Sequence, residues 1–269
     1  MTKMEVKAIG VIPARYKSTR LEGKPLVKIQ GKTLLYHVYK RSSQAKEIKE
    51  LIVATDDERI FQEVKSFGGN VLMTSPYHNS GTERVAEIGE KNDAPIVINI
   101  QGDEIFIRPE MIDELVKTLN AEPDLLMATF MTRITDMDEL DNPHVVKIIT
   151  DAHSYAIYFS RNAVPYPMLN MQVQISTVKE LVSYKNELIS FYRKHIGIYG
   201  FKRSFLLDFA KMKSTPLEQI ERLEQLRAIE NRIKIKVLET DHPMIGIDTE
   251  DDLKRVLALI NAHPNLLTI

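Results

Sequence analysis

One short stretch of this chain concentrates positive charge where phosphate chemistry could use it. Ile12–Leu26 reads IPARYKSTRLEGKPL and carries Arg15, Lys17, Arg20 and Lys24, with Lys28 just beyond. It follows an apolar, strand-like run at once. A loop of this kind at a strand end can wrap a triphosphate with backbone N–H groups and basic side chains; a solvated basic loop is the competing reading. Two acids stand in similar positions. Asp103 follows the apolar run IVINI in QGDE, and Asp248 ends IGID just before a helix-capping Thr249. Singly, either acid could be a cap or a solvated carboxylate. As a pair at strand ends they suit Mg²⁺, a hard cation held by one or two carboxylates plus substrate phosphates.

The familiar alternatives are missing. There is no G-x-G-x-x-G, and Gly31-Lys32-Thr33 lacks the upstream glycine of a P-loop, since Leu26 stands there. That triplet reads as a turn into a helix. Of seven histidines, six (His37, His78, His144, His153, His242 and His263) show no paired spacing and read as structural or solvent-facing. Cysteine is absent, which excludes disulfides, thiolate catalysis, iron–sulfur clusters and cysteine zinc sites.

These residues need a frame. The first half alternates strand-like and helix-like segments: Lys7–Ile12, Leu34–Ser43, Leu51–Ala54, a helix over Ile60–Phe67, Asn70–Met73, a helix over Arg84–Lys91, Ile96–Ile100 and Pro109–Leu119. Thr55-Asp56-Asp57-Glu58 and Ser80-Gly81-Thr82-Glu83 both fit the T/S-x-x-E capping pattern. Strand–helix–strand repetition predicts parallel strands with right-handed crossovers, hence a doubly wound, mostly parallel α/β sheet. In such sheets ligands sit beyond the carboxyl ends of the strands. Farther on, Val145–Thr150, Tyr155–Ser160, His195–Phe201, Ile235–Leu238 and Ile245–Asp248 read as strands. Val178–Phe191 could form a helix. Thr215-Pro216-Leu217-Glu218 starts a helix expected to run to about Asn231 with Leu217, Ile220, Leu223 and Leu226 inward. Thr249 caps a last helix through Ile260. The expectation is one domain over 1–269, with a subregion at about 150–201 acting as an excursion or dimerisation arm.

The 36 Lys and Arg against 37 Asp and Glu leave a net charge of −1, a poor match for general binding to nucleic acid or anionic membrane. No apolar run approaches the roughly 20 residues of a membrane span, and MTKMEVKAIGVIPAR has no signal-peptide core. The expectation is a soluble, cytoplasmic chain.

The pattern I-P-A-R-Y-x-S-T-R-L-x-G-K-P-L resembles the nucleotide loop of sugar nucleotidyltransferases that make CMP-activated acids, in particular the 3-deoxy-manno-octulosonate (Kdo) cytidylyltransferases. Further matches follow in order: VATDDERI (53–60), MTSP (73–76), SGTER (80–84), INIQGDE (98–104), VVKIITD (145–151), YFSR (158–161), HIGIYGF (195–201), PLEQIERLEQLR (216–227) and IGIDTEDDL (245–253). They run from about residue 8 to about residue 256. The resemblance implies a nucleotide-diphospho-sugar transferase fold and transfer of CMP from CTP to Kdo for lipopolysaccharide synthesis by a homodimer. It implies Mg²⁺ on Asp103 and Asp248, phosphate contacts from Arg15 and Lys24 with help from Arg20, and a nucleotide pocket including Pro13, Ala14, Ala54, Ser80, Gly81 and Thr82. It implies sugar contacts from Arg84, Gln101, Arg161, His195, Tyr199, Glu224 and Gln225. His195 and Tyr199, four apart, share a face if they lie on a strand.

Some positions depart from the family pattern. Glu22 stands where proline is usual, Ile105-Phe106 replaces a proline-containing step, and Met168 stands where arginine is common. The long Met168–Lys194 stretch leaves the choice of acidic sugar open, including an amino-substituted Kdo. A CTP-binding regulator without turnover is an alternative of another class. A dinucleotide-binding dehydrogenase is disfavoured by the missing glycine fingerprint.

Overall fold

The computed structural model describes residues 8–17, 21–168, 177–242, 245–247 and 249–267. In chain order the strands and α-helices are β1 (Ala8–Ala14), β2 (Lys28–Ile29), β3 (Lys32–Thr33), α1 (Leu34–Ser42), β4 (Ile48–Thr55), α2 (Glu58–Ser66), β5 (Val71–Met73), α3 (Gly81–Glu90), β6 (Ile96–Asn99) and α4 (Pro109–Ala121). Then come β7 (Met127–Arg133), α5 (Asp138–Asp141), β8 (Lys147–Thr150), β9 (Ala156–Ser160), α6 (Val178–Tyr184), β10 (Arg193–Lys202), α7 (Arg203–Lys211), α8 (Pro216–Glu221), α9 (Leu226–Glu230), β11 (Ile235–Glu239) and α10 (Glu250–Ala262). The chain forms two compact units. The first is Met1–Asp124, Ile198–Lys211 and Pro243–Ile269; the second is Leu125–Gly197 and Met212–His242. The subregion expected at about 150–201 falls mostly in the second.

In the first unit β1 pairs in parallel with β4 on one side and β6 on the other, and β4 pairs in parallel with β5. The end of β10 runs antiparallel along β6, with Tyr199 opposite Asn99 and Lys202 opposite Ile96. Every residue of β6 is buried, as are six of the seven in β1. Burial without alternation means that both faces are covered, the condition for a parallel sheet wound by helices. Here α3 packs with α7 and α1 with α4. The strand order reverses direction at β1: the chain goes to β4 on one side and returns to β6 on the other. A crevice opens beyond the carboxyl ends of the two strands at such a switch point.

In the second unit β7 and β11 pair in parallel, while β8 and β9 form an antiparallel pair. Ile134, Leu140, Val182 and Tyr192 make a small core, against which Met137, Val178, Leu188 and Ile189 pack.

Several local readings need correction. Asp57, not Thr55, caps α2, accepting from the Arg59 N–H at 2.9 Å. Gly31-Lys32-Thr33 is, as read, a turn into a helix: it lies in the tight hairpin β2–β3, with Gln30 and Gly31 at φ 48° and 79°, and Thr33 caps α1. Residues 245–247 are not a strand. Val178–Phe191 divides into α6 and a 3₁₀ turn, Asn186–Phe191. β7 and α7 had no sequence reading of their own. The helix from Thr215 does not reach Asn231. It stops at Glu221, Arg222 turns left-handed at φ 53°, and α9 starts afresh at Leu226. The cause is polar. Glu218 is buried and takes Arg227 Nε at 2.8 Å and Nη2 at 2.5 Å, while Ile220 is 80% exposed. Arg161 supplies donors to the carbonyls that the broken helix leaves unpaired, Glu221 O at 2.6 Å and Arg222 O at 3.3 Å.

Gly200 marks a close approach of α4 to β10. A Cβ there would lie 2.7 Å from Leu119 Cδ1 and 3.3 Å from Leu115 Cβ. Gly200→Ala is expected to lower unfolding free energy by about 1–3 kcal/mol through overpacking. Urea denaturation checks this, and an unchanged midpoint would count against the packing described.

Candidate active site

The switch point gathers three backbone segments within the first unit. A Cβ on Gly102 would sit 3.3 Å from the Pro13 carbonyl oxygen, and one on Gly81 3.5 Å from Pro13 Cγ. The end of β1, the start of α3 and the turn after β6 are therefore in contact. Ser80 caps α3 by accepting from the Glu83 N–H at 3.1 Å. The remaining first-turn N–H groups and the helix dipole favour an anion. Arg15 is tied to this cap, with Nη2 donating to the Ser80 carbonyl at 2.7 Å and Nη1 to Asn79 O at 3.3 Å. Burial and the neighbouring Arg84 lower the Arg15 pKa, which leaves a guanidinium charged all the same.

Lys24 reaches the site by a glycine-dependent turn. Gly23 adopts φ 67°, its N–H donates to Tyr16 O at 2.9 Å, and a Cβ there would meet the Tyr16 ring at 3.1–3.2 Å. Arg59 lies over that ring at 3.2 Å and donates to Asp57. So anchored, the loop delivers Lys24 Nζ to Asp103 Oδ2 at 2.6 Å, with the two side chains 17% and 20% exposed. Asp103 is fixed by its backbone: its carbonyl accepts from Ile105 N at 3.1 Å and Ile247 N at 3.2 Å. Asp248 and Arg20 lie outside the described residues. Among the described residues no three His, Asp or Glu side chains form a group that could hold a metal. A carboxylate that already draws a cation, beside a basic loop, fits the donor chemistry of Mg²⁺.

Arg84 is fully buried beside the same strand ends. Its Nη1 donates to Thr74 Oγ1, Asp56 Oδ2 lies 3.0 Å from Nη2, and neither Nε nor Nη2 has a hydrogen-bond acceptor among the described residues. It thus stands with Asp56 and Arg15. Sequence reading missed Asp56, which fell at an unassigned position between Thr55 and Glu58 of the expected capping box. Ala54 and Thr82 are buried, and Pro13, Gln101 and Gly81 are half-buried. Tyr199 is in β10 opposite Asn99.

The other expected sugar ligands are in the second unit. Arg161 spends Nε, Nη1 and Nη2 on the carbonyls of Glu221, Pro143 and Arg222. Glu221, unmarked in the sequence, returns the grip, accepting from Ser160 Oγ at 2.9 Å and Arg161 N at 3.0 Å. This reciprocal clamp sets the turn that leads to Glu224 and Gln225. Gln225 is buried; Glu224 is half-buried and lies 3.6 Å from Arg227. Lys147 is buried as well, donating to Asn142 O at 2.9 Å and Val145 O at 2.6 Å, and burial pushes its ammonium down to about 8. His195 shares a 3.0 Å hydrogen bond with Thr129 Oγ1 and meets the Phe159 ring edge-on. Burial lowers its pKa from 6.5 to about 3.

That last shift has a sign. The folded state resists a proton that the unfolded chain accepts near 6.5, so the stabilising effect is complete above that pH and is lost as pH falls toward 3. The His195 ring is expected to show no titration between pH 5 and 8 by NMR. A midpoint near 6.5 would remove the desolvated environment assigned to it.

Known proteins resemble this chain over most of its length. The cytidylyltransferase family model matches residues 9–235. The 3-deoxy-manno-octulosonate cytidylyltransferase of Fusobacterium nucleatum subsp. nucleatum is 50% identical over 259 residues, 96% of this chain and 98% of that protein. The Geotalea daltonii protein of the same name is 47% identical, covering 94% and 97%. The solved structure of CMP:2-keto-3-deoxy-manno-octonic acid synthetase complexed with CTP superimposes with a TM-score of 0.83 at 38% identity, covering 95% of this chain and 99% of that one. A 4-diphosphocytidyl-2C-methyl-D-erythritol synthase from Anaerococcus prevotii, 17% identical with a TM-score of 0.58, shares the fold. On the family match and the length and closeness of these likenesses, the chain belongs to the 3-deoxy-manno-octulosonate cytidylyltransferase family.

Proposed function

We propose that this chain transfers CMP from CTP to the anomeric hydroxyl of Kdo, releasing pyrophosphate. The observation that carries this reading is the Lys24–Asp103 pair beside the α3 cap and Arg15, at the switch point of the sheet. Relatives sharing about half of its residues are named for the same transfer.

The hydroxyl oxygen attacks the α-phosphorus, the bond from that phosphorus to the β-bridging oxygen breaks, and the hydroxyl proton passes to solvent. Little covalent chemistry falls to the protein in phosphoryl transfer, so positioning and charge neutralisation dominate. Arg15 and Lys24 hold the β- and γ-phosphates, with Arg20 assisting. The α3 N-terminus at Ser80, Gly81 and Thr82, with Pro13, Ala14 and Ala54, receives the nucleoside. Asp103 and Asp248 would hold Mg²⁺, which would neutralise phosphate charge and lower the pKa of the attacking hydroxyl. Of the residues that the family resemblance assigns to the sugar acid, Gln101 and Tyr199 belong to the first unit, and neutral His195, Glu224 and Gln225 to the second. Arg161 acts as a positioning group through its clamp on Glu221. Arg84, expected among the sugar contacts, is fully buried with Thr74 and Asp56 and acts as a positioning group. The reading extends to a cytoplasmic homodimer that serves lipopolysaccharide synthesis.

A panel of four nucleoside triphosphates crossed with Kdo, 8-amino-Kdo and sialic acid, read by pyrophosphate release with Mg²⁺, tests the reaction. Release is expected with CTP and Kdo. Preference for the amino sugar would change the substrate, and CTP binding without release from any sugar would favour the regulator. Asp103→Asn is expected to lower turnover at least about 100-fold, since even outer-shell metal partners cost 10–100-fold. Circular dichroism confirms that the variant is folded. Near-normal turnover would remove Asp103 from the reaction.

A further inference from the structure

We propose that Lys24 is a place-holding counter-ion: without nucleotide its ammonium occupies the cation position at Asp103, and the arriving triphosphate draws it away, so metal binds together with nucleotide and poorly before it. This rests on the reading of Asp103 as a metal ligand.

At 2.6 Å, Lys24 Nζ sits where a divalent ion on Oδ2 would repel it. With Mg²⁺ on the same oxygen at about 2.0–2.1 Å, the two cations would stand roughly 4 Å apart and repel each other. Both side chains are about four-fifths covered, so the competition takes place where water screens weakly.

The two partners differ in freedom. Asp103 is pinned through its carbonyl by Ile105 and Ile247. Lys24 carries a compact charge on a flexible four-carbon stem. It projects from the start of a 3₁₀ turn (Lys24–Leu26) at the end of the basic loop. The lysine is therefore the partner that moves. A triphosphate offers it several anionic oxygens in place of the Asp103 carboxylate. Its departure leaves Asp103 with uncompensated negative charge just as phosphate oxygens arrive to complete a coordination shell. No proton transfer is needed.

Binding of Mn²⁺ alone, followed by the loss of free-ion EPR signal, tests this with the full chain, first without nucleotide and then with CTP. Lys24→Met is expected to bind Mn²⁺ about tenfold more tightly than wild type when nucleotide is absent, by removal of one charge-assisted competitor. Lys24→Arg should stay as weak as wild type. Asp103→Asn added to Lys24→Met should abolish the gain. A folded Lys24→Met with wild-type affinity for Mn²⁺ overturns the proposal. Should that variant not fold, the wild-type Lys24 ¹⁵Nζ resonance serves instead. It is expected to move on adding CTP without metal, and a fixed resonance overturns the proposal. If CTP fails to raise Mn²⁺ affinity and Asp103→Asn changes nothing, the metal-ligand reading itself falls. If Asp103→Asn loses Mn²⁺ in the CTP complex while Lys24→Met shows no gain, only the place-holder falls.

Discussion

The ion pair between Lys24 and Asp103 joins two segments that are 79 residues apart in sequence and makes one site of them. Each partner is placed by backbone constraints that are not themselves electrostatic. Gly23 turns left-handed, a conformation open to glycine at little cost, and packs its bare Cα against Tyr16. The turn after β6 is held by hydrogen bonds to the Asp103 carbonyl from both sides of the chain. Bringing a lysine and an aspartate out of bulk water carries a desolvation cost, which their mutual attraction offsets only at close range. The sheet supplies that range, because β1 and β6 are neighbours whose carboxyl ends open on the same side.

Much of this was legible in the sequence. The apolar runs ahead of Pro13 and Gln101 gave the strands, and the basic stretch and the lone acid fell at their ends, where the topology requires a ligand crevice. Capping chemistry was equally readable at Ser80 and Thr249, where side chain and helix dipole act within one turn. What escaped was long-range polar pairing. The α8–α9 segment has an apolar spacing that favours one continuous helix, yet the buried Glu218–Arg227 pair and the Arg161 clamp override it. No local window contains Arg161. Likewise, Asp56 could be assigned to Arg84 only once β4 and α3 were known to lie together.

The second unit relies on polar groups to set shape. Lys147 and Arg161 are both directed at backbone carbonyls of the 142–145 turn, and Arg161 also braces the break after α8. Charged groups so used cannot also serve as unattached ligands in the same conformation. Arg161 instead fixes the turn ahead of Glu224 and Gln225. Neutral His195, bonded to Thr129, fits a polar contact that does not change charge over the neutral range.

The first unit, by contrast, holds positive charge in excess of its local acceptors. Burial lowers the Arg15 pKa, and the nearby Arg84 guanidinium lowers it further. Asp56 and Glu83 offset only part of it, and Arg84 retains donors without acceptors among the described residues. Two guanidinium groups beside a helix N-terminus form a field that is unfavourable to the empty protein and favourable to an anion. On the proposed reading, that imbalance is preorganisation. The cost of gathering the cations is met in folding, so a triphosphate entering the crevice gains their attraction without first having to assemble them. A site balanced internally in every charge would be more stable and would bind less well; Arg84 Nε and Nη2, buried without acceptors among the described residues, are atoms that keep this one unbalanced.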